Sequence, residues 1–289
     1  MAANHSEKQS NKIWWILVLI LSLLLVSIGL GTYAWVYVGK NIDYSDYRNE
    51  PPATGSVIST EGAENRDPQE SYPGYTSGQE GQEGQNTEPQ LQTNPIDFKG
   101  LRELNSDIYA WIYIPNTDID LPVFQASADK DDNFYMYHNA KGEYEFKGSI
   151  YSQRLNEKDF QDPVTVLYGH HMLDDSMFSN LHYYMDKQFF EENEYFFIYT
   201  PGHILTYRIV SAHEYDERHI LNSFDFSKEK IFRDYLDYIT EPRTMVANVR
   251  EDVVLTTQDR IVTLSTCTAG GSARYLVQGV LINDEPTTE

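Results

Sequence analysis

The longest hydrophobic stretch of the chain lies near its start, where residues Ile13–Val38 contain no charged side chain. A helix of that length, rising about 1.5 Å per residue, crosses a hydrocarbon layer of roughly 30 Å with some tilt. Lys8 and Lys12 precede the stretch, which predicts a cytoplasmic tail over 1–12 and an external location for the residues after Val38. A cleaved signal peptide is the competing interpretation, but its apolar region usually has only about 7–15 residues. The pattern therefore favours a retained transmembrane helix over 13–38.

The hydrophobic pattern disappears between residues 39 and 95. From Asn41 to Pro95 there are ten acidic residues against two arginines, and Gly-Gln-Glu repeats run from Gly78 to Gln85. Such a composition cannot bury a core, so it predicts a disordered acidic linker over 39–95. A flexible chain of that length has a root-mean-square span of roughly 40 Å. The segment is then either a tether that extends the reach of the next domain or a plain spacer.

From residue 96 onward, short apolar runs alternate with turn signals, which predicts a mostly β barrel or sandwich over 96–289. A short helix is expected at 98–104, and Phe232, Tyr235, Leu236 and Ile239 mark an amphipathic helix between Asp225 and Thr240. The strand-like runs are 108–114, 119–125, 148–151, 164–171, 195–200, 204–215, 253–257, 261–267 and 275–282.

The composition of the chain argues against several classes of function. The formal net charge of −22 argues against nucleic-acid binding, which requires clustered Lys and Arg. The single cysteine excludes an internal disulfide and makes cysteine-based zinc binding implausible. The acidic clusters at 129–132 and 174–175 lack the spacing of a calcium loop. We therefore expect no metal and no cofactor.

The single cysteine ends a strand-like run with a two-residue period. Val262 and Leu264 fall on one side of this run, and Ser265 and Cys267 on the other. A loop of small residues comes next, and if the hairpin closes at Cys267 and Arg274, their Cβ atoms lie roughly 5 Å apart. A guanidinium beside a thiol favours the reactive thiolate. The alternative is that Cys267 is an inert buried side chain, as many lone cysteines are.

A thiol nucleophile needs a partner that moves protons, and the chain has eight histidines. His170 and His171 close the strand-like run that contains Gly169, a residue that lets another element approach closely. The period of the strand places these two histidines on opposite faces and does not choose between them. The other histidines carry no motif and are expected to be structural or exposed.

Several motifs occur in an order that resembles the sortases, and specifically class B. They are Thr263–Cys267 with the later Arg274, Tyr168–His170, Trp111–Pro115, Gly148–Ile150 and Met177–Phe178. Sortases are membrane-anchored cysteine transpeptidases of Gram-positive bacteria, and the resemblance covers about residues 96–282. It implies an eight-stranded β-barrel with peripheral helices, preceded here by the membrane helix and the linker. It also implies that the 225–240 helix belongs to an insertion that forms part of the substrate groove.

The resemblance assigns roles to particular residues. It implies that Cys267 is the nucleophile, that Arg274 stabilises the oxyanion, and that Ser265 lines the pocket. His170 rather than His171 is expected to act in its protonated form, giving a proton to the departing amine and later taking one from the incoming amine. The implied partners are a sorting-signal peptide near the C-terminus of an exported protein and an amine, from a peptidoglycan precursor or from a pilin lysine. The implied location is the cell membrane, with one span and an external catalytic domain.

Two other classes of function stay open at this point. One is a membrane-anchored cysteine protease or amidase in which water is the final acceptor, although papain-like enzymes place the cysteine before the histidine in the chain. The other is a wall-tethered β scaffold without catalysis, in which Cys267 is inert.

Overall fold

The fold is given by a computed structural model that describes residues 14–29, 42–49, 91–268, 270–271 and 273–288. Residues 14–29 form a helix, α1. Among the described residues, none of the helices combines the length and the apolar character that a membrane crossing requires. The transmembrane helix predicted over 13–38 extends into residues that are not described, so it stays a prediction.

Eight strands close into a barrel, as the family resemblance implies. Their order is β10–β9–β5–β4–β3–β2–β6–β7, and β7 pairs back to β10. Two of the pairings, β3 with β4 and β5 with β9, are parallel, and the other six are antiparallel. The barrel strands are β2 (Ile108–Tyr113), β3 (Asp120–Gln125), β4 (Ile150–Ser152), β5 (Val164–Tyr168), β6 (Tyr195–Thr200), β7 (His203–Tyr215), β9 (Ile261–Cys267) and β10 (Arg274–Thr288).

Two short strands lie outside the barrel: β1 (Gln92–Thr93) pairs with β10, and β8 (Ala247–Val249) pairs with β7. The strand predicted at 253–257 is wrong, because these residues form no strand pairing. Val253 is buried and Val254 is exposed, so the alternation that indicated a strand is real. It arises because Val253 and Leu255 pack against an outer hydrophobic cluster.

That outer cluster lies under the helices on one side of the barrel. Among the described residues of the domain, the α-helices are α2 (Phe98–Leu104), α3 (Lys187–Glu192), α4 (Ile220–Ser223) and α5 (Glu229–Thr240), and two 3-10 helices span Phe134–Met136 and Ser179–Met185. The four apolar side chains predicted to face inward from α5 are all buried, and they pack on Val166, Ile261 and Leu276 of the barrel wall. Val262 and Leu264 instead face the barrel interior. Strand β9 therefore has two covered faces, and its side chains alternate between two hydrophobic clusters.

Both ends of the predicted linker have defined positions on this domain. Residues 42–49 contain a 3-10 turn at Ser45–Tyr47, and residues 91–95 include β1. The remaining linker residues lie outside the described part of the chain, so disorder there stays a prediction.

His213 on β7 is buried beneath α5, where its ring contacts Tyr238 at 5.5 Å between centroids. Within the described residues its Nε2 atom has no hydrogen-bond partner, and Nδ1 lies 3.4 Å from the Ser211 hydroxyl. Burial disfavours the charged ring and lowers the pKa of His213 from 6.5 to about 4. The folded protein therefore holds this imidazole neutral at pH values where the unfolded chain protonates it.

We expect the free energy of unfolding to fall by about 2 kcal/mol between pH 7.5 and pH 5 because of His213 alone. The folded pKa lies below the unfolded one, so the unfolded state binds more protons as the pH drops from 6.5 towards 4. Denaturant unfolding at both pH values should show a smaller decrease in His213→Leu. His203→Gln, which changes a half-exposed histidine, should keep the full decrease. An unchanged pH dependence in His213→Leu would contradict the assignment.

Gly169 lies where β5 approaches its neighbours most closely. A Cβ atom there would stand 2.5 Å from Ile150 Cδ1 and 2.7 Å from Phe178 Cγ. Since overpacking of this kind costs about 1–3 kcal/mol, Gly169→Ala should lower the melting temperature by about 3–10 °C. Ile150→Val removes the nearer atom, so the double variant should be less destabilised than the sum of the two single variants. Additive losses in thermal unfolding would argue against the contact.

Candidate active site

Cys267 and Arg274 lie opposite each other at the end of the β9–β10 hairpin, as the pattern of the hairpin predicts. Arg274 Nη1 is 2.6 Å from Cys267 Sγ, and both side chains are partly exposed. The loop between them is closed by Thr268, whose backbone N–H donates to the Ala273 carbonyl at 3.0 Å. The thiol therefore meets a guanidinium at a surface that a ligand can reach.

Ser265 lies on the same face of β9 as Cys267 but deeper, with 5% of its surface exposed. It pairs with Tyr168 on the parallel strand β5, and its carbonyl accepts a hydrogen bond from Gly169 N–H at 3.1 Å. Ser265 therefore holds the two strands together at their carboxyl ends. The expectation that its side chain lines a substrate pocket stays a prediction.

His170 comes after β5 at the same edge of the barrel where Cys267 ends β9. Because the two strands are parallel and Tyr168 is level with Ser265, His170 is in register with Cys267. The hydrogen bond described for His170 joins Nε2 to the Met136 carbonyl at 2.9 Å. A carbonyl only accepts, so Nε2 carries the proton and Nδ1 is left as the basic nitrogen.

The electrostatic surroundings of His170 favour the neutral ring. Burial lowers its pKa, the bond to the Met136 carbonyl opposes this, and the positive charge of Arg274 lowers it further. Its ring lies between Phe146, stacked at 6.0 Å, and Tyr137 at 5.3 Å. The charge of Arg274 therefore acts on His170, and the neutral ring of His170 can accept a proton.

His171 points elsewhere, which separates the two histidines that the strand period leaves equivalent. Its ring lies 4.2 Å from that of His182, which stacks on Tyr275 at 5.0 Å. Tyr275 belongs to the cluster inside the barrel. His171 is thus directed towards the barrel interior, while His170 is on the side of Arg274.

Next to Tyr168 lies a chain of hydrogen bonds that sequence reasoning missed. Asn222 N–H donates to His219 Nδ1 at 3.2 Å, so His219 Nε2 carries the proton and donates to Gln153 Oε1 at 2.6 Å. Gln153 Nε2 in turn donates to Asn133 Oδ1 at 2.7 Å. The chain connects α4 with the segment before β4. The only sequence signal was the position of His219 just before a short apolar run, which is typical of a helix cap.

Aromatic side chains lie close to Arg274. Tyr151 and Tyr168 are 5.4 Å apart, and the His219 ring lies 6.1 Å from Tyr168. Burial raises the pKa of both tyrosines, and the charge of Arg274 acts on both in the opposite direction. Both phenols therefore stay neutral at physiological pH, and the Tyr151 hydroxyl donates to Asn133 Oδ1 at 3.3 Å. Among the described residues, the Tyr168 hydroxyl has no hydrogen-bond partner.

This arrangement is suited to acyl transfer. A partly exposed thiol can attack a carbonyl, a guanidinium can hold the resulting oxyanion, and a neutral imidazole at the same edge can move the protons. Within the described part of the chain, no group of three or more His, Cys, Asp or Glu side chains could hold a metal ion. The expectation that catalysis needs no metal stays a prediction.

Comparisons with known proteins agree with this chemistry. A family profile described as the sortase domain matches residues 112–282. Sortase B of Listeria monocytogenes serovar 1/2a is 33% identical over 191 residues, which cover 64% of this chain and 74% of the relative.

Solved structures agree as well. The X-ray structure of Clostridium perfringens sortase B has a TM-score of 0.58 and 32% identity, covering 64% of this chain and 99% of the other. A Staphylococcus aureus sortase B–substrate complex has a TM-score of 0.57 and 28% identity, covering 66% and 87%. The chain therefore belongs to the sortase family, and it is a class B member and a cysteine transpeptidase.

Proposed function

We propose that this sortase cleaves a sorting signal near the C-terminus of an exported protein and joins the released acyl group to an amine. The family supports cell-wall anchoring by a cysteine transpeptidase in general. The observation that carries the proposal for this chain is the 2.6 Å contact between Arg274 Nη1 and Cys267 Sγ, at the edge where His170 comes after β5. The solved Staphylococcus aureus complex, which holds a substrate, supports a peptide in the corresponding groove.

The first half of the reaction releases the C-terminal fragment of the substrate. His170 Nδ1 takes the proton of the Cys267 thiol, and the sulfur attacks the backbone carbonyl of a threonine-type residue. The guanidinium of Arg274 turns from the sulfur to the carbonyl oxygen and stabilises the negative charge that develops there. His170 then gives its proton to the departing amine, and a thioester on Cys267 remains.

In this order of steps the histidine starts neutral rather than protonated. A resting imidazolium is not favoured, because burial and Arg274 both lower the pKa of His170. The proton that the leaving amine needs is supplied by the thiol itself, so the ring returns to neutrality without an external acid.

The second half of the reaction uses an incoming amine. Its nitrogen attacks the thioester carbonyl while His170 accepts a proton, and Cys267 leaves as a thiolate that recovers this proton. An amine of a peptidoglycan precursor gives an anchored surface protein, and a lysine of a pilin gives a polymer. Hydrolysis by water, as in a protease or amidase, is the competing outcome at the same thioester.

We place the enzyme at the cell membrane, with the tail over 1–12 in the cytoplasm and the catalytic domain outside. The support is the uncharged stretch Ile13–Val38 with lysines on its N-terminal side. A partner at the cell surface also fits the net charge of −22, which disfavours nucleic acid.

We expect Cys267→Ala and His170→Ala each to abolish product when the full chain in detergent is given a library of pentapeptides and an amine acceptor. Arg274→Ala should lower kcat/KM by about 10²–10³-fold, because it removes one oxyanion donor. His171→Ala is the matched control and should keep most of the activity. Mass spectrometry of the products decides between outcomes: transfer surviving in Cys267→Ala would exclude the mechanism, and hydrolysis without transfer would indicate a protease.

We expect the full chain to remain with bacterial membranes after an alkaline carbonate wash and to be released by detergent. A chain that lacks residues 1–38 should appear in the soluble fraction, since it lacks the apolar stretch. Fractionation followed by immunoblotting measures both. The triplet Thr32-Tyr33-Ala34 has the small-x-small pattern of a signal-peptidase site. Cleavage near Ala34, seen as a shortened and soluble product, would support the signal-peptide interpretation instead.

A further inference from the structure

Residues 42–49, which we call the docking segment, are the first described residues after the predicted membrane helix. Ile42, Tyr44 and Tyr47 pack against the hydrophobic cluster on the β2–β3–β6 side of the barrel. The ring of Tyr44 meets that of Trp111 edge-on, with 6.3 Å between centroids. Burial raises the pKa of Tyr44, which agrees with a phenol removed from water.

Arg48 fixes the end of the docking segment. Its Nη1 atom is 2.6 Å from Asp120 Oδ1, and Trp111 Nε1 donates to the same oxygen at 2.5 Å. The guanidinium also lies 4.8 Å from the ring centre of Tyr113 and 5.5 Å from that of Tyr199. Only 8% of the Arg48 side chain is exposed. Arginine is held this deeply only where anionic and aromatic partners compensate for its lost hydration, so the receiving face is built for it.

Backbone hydrogen bonds place the two ends of the acidic linker side by side. Asn49 N–H donates to the Pro95 carbonyl at 2.7 Å, and Asp97 N–H donates to the Tyr47 carbonyl at 2.8 Å. Arg48 and Ile96 form an antiparallel bridge. Asn49 and Pro95 thus lie next to each other on the surface of the barrel, although they are far apart in the sequence.

The start of the docking segment is also close to the catalytic loop. Ile42 and Tyr44 line a cavity of about 280 Å³ together with Gly148 and the segment from Asp174 to Met177. That segment comes shortly after His170 and His171, and Phe178 N–H donates to the His170 carbonyl at 3.0 Å. The point where the chain arrives from the membrane side is therefore on the same part of the domain as the loop that carries His170.

We infer that the docking segment is a clamp that holds the catalytic domain next to the bilayer, and that the acidic segment beyond it does not extend the reach of the domain. The inference rests on the membrane anchor proposed above. Only residues 39–41 separate the predicted helix from the clamp, a distance of at most about 10 Å when extended. The full linker acting as a tether would span roughly 40 Å. The groove then works on substrates held at the membrane surface.

The contact between the docking segment and the barrel is tested by amide hydrogen exchange of the full chain in detergent. The amides of Arg48, Asn49 and Asp97 should exchange at least ten-fold more slowly than in an unprotected chain, because each is hydrogen-bonded. Arg48→Ala should remove that protection, and so should Tyr44→Ala. Arg66→Ala, which changes the other arginine of the linker, is the matched control and should leave it unchanged. Unprotected exchange in the wild type would overturn the clamp.

The height of the catalytic domain above the bilayer is tested with a flexible Gly/Ser insert placed at either of two sites. An insert of about 40 residues has a span of roughly 35 Å. Energy transfer is measured from a dye on Cys267, the single cysteine, to labelled lipid in vesicles. An insert after Asn41 should lower the transfer, and the same insert after Glu70 should not.

In Arg48→Ala both inserts should lower the transfer, because the linker then acts as a tether. A decrease with the Glu70 insert in the wild type would overturn the clamp. Loss of every variant from the vesicles would overturn the membrane anchor and with it the proposed height, while the exchange measurement would still decide whether the contact exists.

Discussion

The parallel pairing of β5 with β9 is the constraint on which the site depends. Parallel neighbours carry their carboxyl ends to the same edge of a sheet, so the residues that come after Tyr168 and Ser265 emerge together. His170 is thereby brought to the level of Cys267, although the two are far apart in the sequence. The antiparallel strand β10 adds Arg274 on the other side of the cysteine. Because all three strands belong to a closed barrel, the backbone of Cys267 and Arg274 cannot shift without disturbing strand pairing, while their side chains stay free to turn.

Burial on both faces of β9 explains why only its last residue is available for chemistry. Helix α5 covers the outer face and the barrel core covers the inner face, so Ser265 and Thr266 are buried while Cys267 is partly exposed. The same exclusion of water acts on His170, whose pKa is lowered by burial and by Arg274. The site thus starts with a neutral imidazole that can take the thiol proton. In the proposed mechanism, this proton stays within the pair until an amine leaves.

The acidic linker shows how composition and tertiary contact act on the same segment. Its charge and its Gly-Gln-Glu repeats predict that no core forms within it. Arg48 is one of its only two arginines, and it finds a pocket formed by Asp120, Tyr113 and Tyr199. A few side chains at one end of a polar segment are therefore enough to attach it to a folded domain.

The sequence alone determined a mostly β domain, because strand alternation and turn residues are local signals that extend over most of residues 96–289. The choice of a closed barrel over a sandwich required the family resemblance, because closure depends on pairing between distant strands. The sequence alone also determined the Cys267–Arg274 pair, since a hairpin places residues near in sequence opposite each other. The choice of His170 over His171 required the family resemblance, because both lie at the same strand end and alternation does not rank one face above the other. Tertiary structure separated them, by directing His171 towards His182 and Tyr275.

Other features were decided only by tertiary structure. Residues 253–257 alternate like a strand, but only their side chains contact the domain and their backbone pairs with no strand. Strand pairing also requires a neighbouring strand with a free edge, which a local pattern does not reveal. The hydrogen bond between His219 and Gln153 joins residues 66 positions apart. The bond between Arg48 and Asp120 joins residues 72 positions apart. A local pattern carries no information about such partners. They exist only once closure of the barrel has brought distant polar groups together and removed the water that would otherwise satisfy them.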